Sequence, residues 1–355
     1  MSQTREICLY ALLAVLIGTA ASVAANLFVQ GGAIFIWLSE ILRSVVSAAS
    51  FDYAPLVQAL CLFIGALLIY QIRRRFGVTK WSGPAESMFA LQYRAGPPLN
   101  TRIGAGSVFA AFVACGCGAP VGQYGPVIHL GATLSQALRN RIRRPLRPDI
   151  LLACGISGGI TGAFNAPLAA TVFVFEVMLR RYSAPVFAAV VLAAGSAYVV
   201  NEALFDHRLF LALTISQPTL EAGILASLIA PLCALIAWFY IRSLHAIQEW
   251  SSKSTLGPGV KIAASALACA LIGGLVPELL GLGGQAIQGM LLGSFTLHLL
   301  AVLLVGKVLL TSVCIASGFY GGIAAPALFI GAAAGALVAK TLFIFGFGDW
   351  TPLLL

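Results

Sequence analysis

Two stretches of this sequence place glycine and proline where a helix start could hold an anion. The first holds Gly118, Gly122, Pro126, Gly131 and Ala132; the second holds Gly318, Gly322, Pro326, Gly331 and Ala332. Each member of the second set lies 200 positions after its counterpart, and both read G-x3-G-x3-P-x4-G-A. Proline is tolerated in the first helical turn because its missing N–H would have no partner there. The glycines ahead of it let the backbone turn sharply and approach closely. The remaining first-turn N–H groups, with the helix dipole behind them, then suit a small anion.

The other reactive side chains point to no catalytic chemistry. No H-E-x-x-H occurs, and the few histidines and acidic residues do not cluster. The chain is not expected to be an enzyme. His129 and His298 are lone histidines in apolar runs, expected to pack or to make a hydrogen bond. Glu176, also in an apolar run, is expected to be a buried hydrogen-bonding carboxyl with a structural role. Lys307 either faces an anion vestibule or snorkels from its helix. The eight cysteines lie almost all within apolar runs and read as packing residues, not as disulfides or a metal site.

The elements that must position the two motifs are membrane helices. Of 355 residues, 60% are apolar and only 9% charged, against about 25% charged in a soluble domain. The 37 glycines fit closely packed transmembrane helices. Spans are expected over 6–42 (long and tilted), 55–72, 184–204, 218–242, 260–280 and 295–316, with a last helix from about 324 to 345. A polar turn over Thr79 to Glu86 is expected to lead into a short helix to about Gln92, and another short helix is expected over 285–292. Residues 150–163 and 167–180 are half-length apolar runs broken by Asn165-Ala166-Pro167. Residues 43–54 and 243–260 read as polar loops.

The net charge of +9 does not indicate nucleic acid, because the basic residues sit in short loops between apolar runs. With the N-terminus cytoplasmic, Arg5, Arg73 to Arg75, the arginines of 139–147, Arg180 and Arg181 all fall inside, while Arg43 and Arg208 fall outside. This predicts a multi-pass protein of the cell inner (plasma) membrane. Broken helices at matching places in two halves mark an inverted repeat with a midplane site. The halves are expected at 1–204 and 205–355.

The motifs resemble those of the CLC chloride channel and chloride/proton exchanger family. Gly122-Gln123-Tyr124-Gly125-Pro126 is similar to its GREGP motif, and Gly322-Ile323-Ala324-Ala325-Pro326 to its GIFAP motif. Trp81-Ser82-Gly83-Pro84 with Glu86 resembles GSGIP-E, and Ala163 to Ala169 resembles the stretch before the family's inner glutamate. The resemblance implies an all-α fold of tilted and partial helices, a homodimer with one pore per subunit, and bound chloride with no other cofactor and no metal. It implies that the Ser82 hydroxyl, the Ile323 and Ala324 amides, and the amides around Tyr124 and Gly125 line the anion path.

Three departures qualify that expectation. Tyr124 stands where the family carries its gating glutamate, and a phenol of pKa about 10 stays neutral and cannot mimic chloride. Val177 stands where the family carries its proton-transfer glutamate, with Glu176 one place earlier. The sequence stops short of the family's last helices, which carry a pore tyrosine and part of the dimer interface. The expected function is therefore chloride or small-anion transport, channel-like and not proton-coupled, with Tyr124 obstructing the outer pore. The alternatives are an antiporter with a different proton path and a shortened, non-conducting relative.

Overall fold

The computed structural model describes residues 3–46, 54–93, 98–142, 146–205 and 220–346. Among these, thirteen α-helices run in the order α1 (Gln3–Val46), α2 (Ala54–Phe76), α3 (Pro84–Gln92), α4 (Thr101–Gly116), α5 (Tyr124–Arg141), α6 (Pro148–Phe164), α7 (Pro167–Phe173), α8 (Ala184–Leu204), α9 (Leu220–Lys253), α10 (Pro258–Leu275), α11 (Gly284–Leu291), α12 (Leu297–Ser317) and α13 (Ala324–Ile344). A π-helical turn, Val174–Leu179, continues α7. Seven helices are long and apolar enough to cross a membrane. The fold is all-α and multi-pass, as the hydropathy pattern requires, since in lipid a helix satisfies its own backbone.

Most boundaries follow the sequence signals; α1 runs on to Val46, into the start of the predicted loop at 43–54, and one further difference is substantial. The predicted loop at 243–260 is helix as far as Lys253, so α9 is a single helix of 34 residues. Polarity was the misleading cue. Lys253 Nζ pairs with Glu249 Oε1 at 2.7 Å, one turn apart, which suits an exposed helical face. Ser251 Oγ donates to the Ala316 carbonyl at 2.8 Å, so α9 is also fastened to the end of α12. The helix stops before Gly257-Pro258, where Pro258 opens α10. Arg94, Arg143, Arg144, Arg208 and the stretch 349–355 lie outside the described residues.

The chain forms two compact units. One holds Met1–Ile34, Gln71–Val113 and Gln123–His207; the other holds Phe35–Tyr70, Ala114–Gly122 and Arg208–Leu355. Neither unit is continuous in sequence. Residues 35–70 and 114–122 belong with the second half. Their contacts explain why: Gln58 Nε2 donates to the Cys117 carbonyl at 3.2 Å, and Gly281 N–H donates to the Gly118 carbonyl at 2.8 Å.

In the first unit α6 is the central helix, buried along nearly its whole length between α5 and α8. It meets α5 where Gly131 faces Gly155. A Cβ added at Gly131 would lie 2.7 Å from the Gly155 carbonyl carbon, so the crossing exists only because side chains are absent there. α1 is tied to α8 by buried amides: Asn201 Oδ1 accepts from Ser22 Oγ at 2.9 Å and from Asn26 Nδ2 at 2.5 Å. Asn165 ends α6 in the left-handed region (φ 54°), a conformation asparagine tolerates, and Pro167 then starts α7.

In the second unit α12 is central and packs against α9, α10 and α13. The Cys269 and Cys314 sulfurs lie 3.1 Å apart between α10 and α12. Five of the eight cysteines are buried, in keeping with a packing role; Cys8 and Cys233 are exposed.

Candidate functional site

The two motifs fold alike. Gly118 and Gly318 both take positive φ, 85° and 112°, which ends α4 and α12 and sends the chain into a short extended segment. These segments meet as an isolated antiparallel bridge: Gly122 N–H donates to the Gly322 carbonyl at 2.7 Å, and Gly322 N–H to the Gly122 carbonyl at 2.5 Å. Two residues after each bridging glycine a helix begins, α5 at Tyr124 and α13 at Ala324. The sequence duplication is thus a duplication of backbone conformation. A Cβ at Gly122 would stand 2.7 Å from the Gly322 carbonyl oxygen, so the paired backbones exclude a side chain.

The bridge and the helix geometry commit part of the backbone donors. The Gly122 and Gly322 amides are committed to each other. Val127 and Ala327 donate into Gln123 and Ile323, which closes the first turns. The amides of Tyr124 and Gly125 in α5, and of Ile323 and Ala324 at the start of α13, precede the first intrahelical donors. In the second unit Ile323 and Ala324 are exposed. The Ile323 carbonyl is reached by the hydroxyl of buried Tyr240, from α9, at 3.4 Å. Tyr240 is a residue sequence reasoning missed, and nothing in its apolar surroundings signals it.

In the first unit Tyr124 is buried, and its ring stacks on Phe164 at 4.1 Å between centroids and 27° between planes. Phe164 closes α6, immediately before the Asn165 turn. The aromatic pair therefore covers the head of α5, where the resemblance expects a carboxylate. Ser82 lies before α3 in the same unit and is held by its neighbours. Its N–H donates to Ser107 Oγ at 2.9 Å, and the next amide, Gly83 N–H, donates to Glu86 Oε2 at 2.8 Å. Both amides of this turn are used by the protein.

The remaining expected residues find different places. Glu176 is exposed on the π-helical turn and has no hydrogen bond or ion pair among the described residues, which corrects the reading of a buried carboxyl. A π turn re-phases the helix, so apolar neighbours in sequence do not predict which side a residue faces. Val177 is also exposed, at 40%. Lys307 neither snorkels nor faces an open vestibule: it is fully buried, donates to the Leu279 and Gly281 carbonyls at 3.0 and 2.8 Å, and lies 4.7 Å over the Phe329 ring. Its neighbour one turn on, Thr311, donates to the Pro120 carbonyl at 2.8 Å. Together they fasten α12 to the turn after α10 and to the first motif's loop. His129 is buried and hydrogen-bonds Ser87, as expected; His298 is exposed and makes no hydrogen bond among the described residues.

Comparison with known proteins agrees with this architecture. The family described as voltage gated chloride channel matches residues 60–352. A protein named H(+)/Cl(-) exchange transporter ClcA from Vibrio vulnificus is 28% identical over 314 residues. That match takes in 85% of this chain, and the chain spans 64% of that relative's length. Among solved structures, a slow cyanobacterial Cl−/H+ antiporter superposes with a TM-score of 0.83 at 22% identity, covering 97% of this chain and 83% of the other. A CLC-type fluoride/proton antiporter gives 0.79 at 22% identity, covering 99% and 86%.

Proposed function

The chain belongs to the voltage gated chloride channel family, and from that premise we propose that it passes chloride or a similar small inorganic anion across the membrane without moving protons. The observation that carries the uncoupled reading is Tyr124, an aromatic ring stacked on Phe164 at the start of α5. A carboxylate at a helix start can be ionised, in which state it competes with the anion, or protonated, in which state it carries a proton. A phenol, neutral at pH 7, does neither. Val177 is equally unable to take a proton. The donors proposed for the anion are neutral ones: in the first unit the Ser82 hydroxyl and the amides of Tyr124 and Gly125, in the second the amides of Ile323 and Ala324. A dehydrated halide is well served by such donors and by helix ends. Bound chloride is the only ligand this reading needs. It places the protein in the inner membrane as a homodimer, with its N-terminus and the basic loop 139–147 on the cytoplasmic side.

A second reading is coupled exchange along a different proton path. It is favoured by the relatives, whose names are those of Cl−/H+ and fluoride/proton exchangers. One assay separates the two. Purified protein in liposomes is recorded with a chloride electrode and a pH electrode together. We expect chloride efflux with no proton movement; proton counter-flow in fixed ratio to chloride selects the exchanger, and no anion flux at all rejects transport.

A further inference from the structure

We propose that His129 is a positioning residue that sets anion selectivity by fixing the Ser82 turn against the helix headed by Tyr124. The inference rests on the reading of the site given above and goes beyond it, because His129 belongs to neither motif's set of donors.

The chain of contacts lies wholly within the first unit. His129 is on α5, five residues after Tyr124, and is fully buried. Its Nδ1 lies 2.7 Å from Ser87 Oγ on α3, and Ser87 Oγ lies 3.2 Å from the Gly83 carbonyl. Ser87 has one hydroxyl hydrogen, and a carbonyl can only accept. The hydroxyl therefore donates to Gly83, and His129 Nδ1–H donates to the hydroxyl. Nε2 has no hydrogen-bond partner among the described residues. The Gly83 carbonyl is next to Ser82, whose own N–H is held from the other side by Ser107 of α4. The turn that carries the Ser82 hydroxyl is thus braced from α4 and from α5.

The packing around the ring shows that its position is constrained. A Cβ added at Gly104 of α4 would lie 2.6 Å from Thr133 Oγ1 and 3.1 Å from His129 Nε2. A larger residue at 104 would displace Thr133 and crowd the imidazole. A ring with an unpaired nitrogen, pressed against a glycine, is costly in an apolar interior. The return on that cost is the Nδ1–Ser87–Gly83 chain. That chain links two groups expected to touch the same anion, so a small change in its length changes the size of ion that fits.

The test measures chloride, nitrate and fluoride flux in liposomes for the wild type, His129→Leu, Ser87→Ala, the double variant and His129→Asn. Asparagine can offer a donor close to the Nδ1 position. We expect His129→Leu and Ser87→Ala each to change the chloride-to-nitrate flux ratio by about three- to tenfold, the loss of one hydrogen bond. The double variant should change it no further than either single one, and His129→Asn should restore much of the wild-type ratio. A ratio unchanged in Ser87→Ala, which loses only one oxygen and retains the fold, overturns the proposal while the transport reading stands. Additive effects in the double variant overturn it equally. A wild-type protein that passes none of the three anions overturns the transport reading, and this proposal with it.

Discussion

Tyr124 is where one atom group decides the most. With its ring stacked on Phe164 it closes over the head of α5. Removing it by Tyr124→Ala should open that approach and raise chloride flux by about tenfold, equivalent to about 1.4 kcal/mol off the limiting barrier. An unchanged rate would remove Tyr124 from any gating role. Tyr124→Glu restores the carboxylate of the family pattern and makes flux depend on pH. Its ionised form competes with chloride and its protonated form does not, so flux should fall as pH rises through the carboxylate range, about 4–5 for an unperturbed Glu. Flux that is flat between pH 3 and 7 would show that position 124 does not meet the anion. The type of residue 124 was plain from the sequence; the ring it stacks on, Phe164, lies 40 positions away and was not.

At the scale of the helix, the two motif copies are equal in sequence and unequal in packing. Gly131 and Gly331 occupy the same place in the repeat. Gly131 is buried against Gly155 of α6, whereas a Cβ at Gly331 meets nothing within 4 Å. Gly131→Ala should therefore lower the stability of detergent-solubilised protein by about 1–3 kcal/mol through forced overpacking. Gly331→Ala should leave it unchanged or raise it by about 0.5–1 kcal/mol, because alanine is the better helix former. Thermal unfolding of the two variants side by side checks the pair; equal effects would refute the asymmetry. Helix ends show the same division. Pro258 and the Asn165-Ala166-Pro167 break were legible because they act on the local backbone. The tail of α9 was not, because its polar residues are held helical by Glu249–Lys253 pairing and by a bond to α12.

For the molecule as a whole, the arrangement of charge gives the prediction. The basic loop after α5 is expected on the cytoplasmic side. Arg141 is exposed at the end of α5. In a background with the exposed Cys8 and Cys233 changed to serine, Arg141→Cys should react with a membrane-impermeant maleimide in inside-out vesicles and not in intact cells. Labelling in intact cells would reverse the orientation. The division into units belongs to this scale too. The second unit takes 35–70 and 114–122 together with the C-terminal part of the chain; within it Gly122 pairs with Gly322 and Gly118 with Gly281.

The sequence by itself determined that the chain is an all-helical membrane protein, that a Gly/Pro helix start occurs twice, and that the carboxylates of the family pattern are replaced. These are properties of single residues and of spacing along the chain: apolar run length, the fixed φ of proline, the absent Cβ of glycine. Only the tertiary structure decided that the two motif loops pair through Gly122 and Gly322, that Lys307 is a buried clamp and Glu176 an exposed carboxyl, and that His129 braces the Ser82 turn through Ser87. Each of those depends on which helices become neighbours. In a bilayer that choice is made by close packing of small residues and by a few hydrogen bonds between helices, with lipid as apolar as the side chains it touches. Hydropathy is the same for a residue facing lipid and one facing another helix, so the pattern along the chain carries the spans but not their partners.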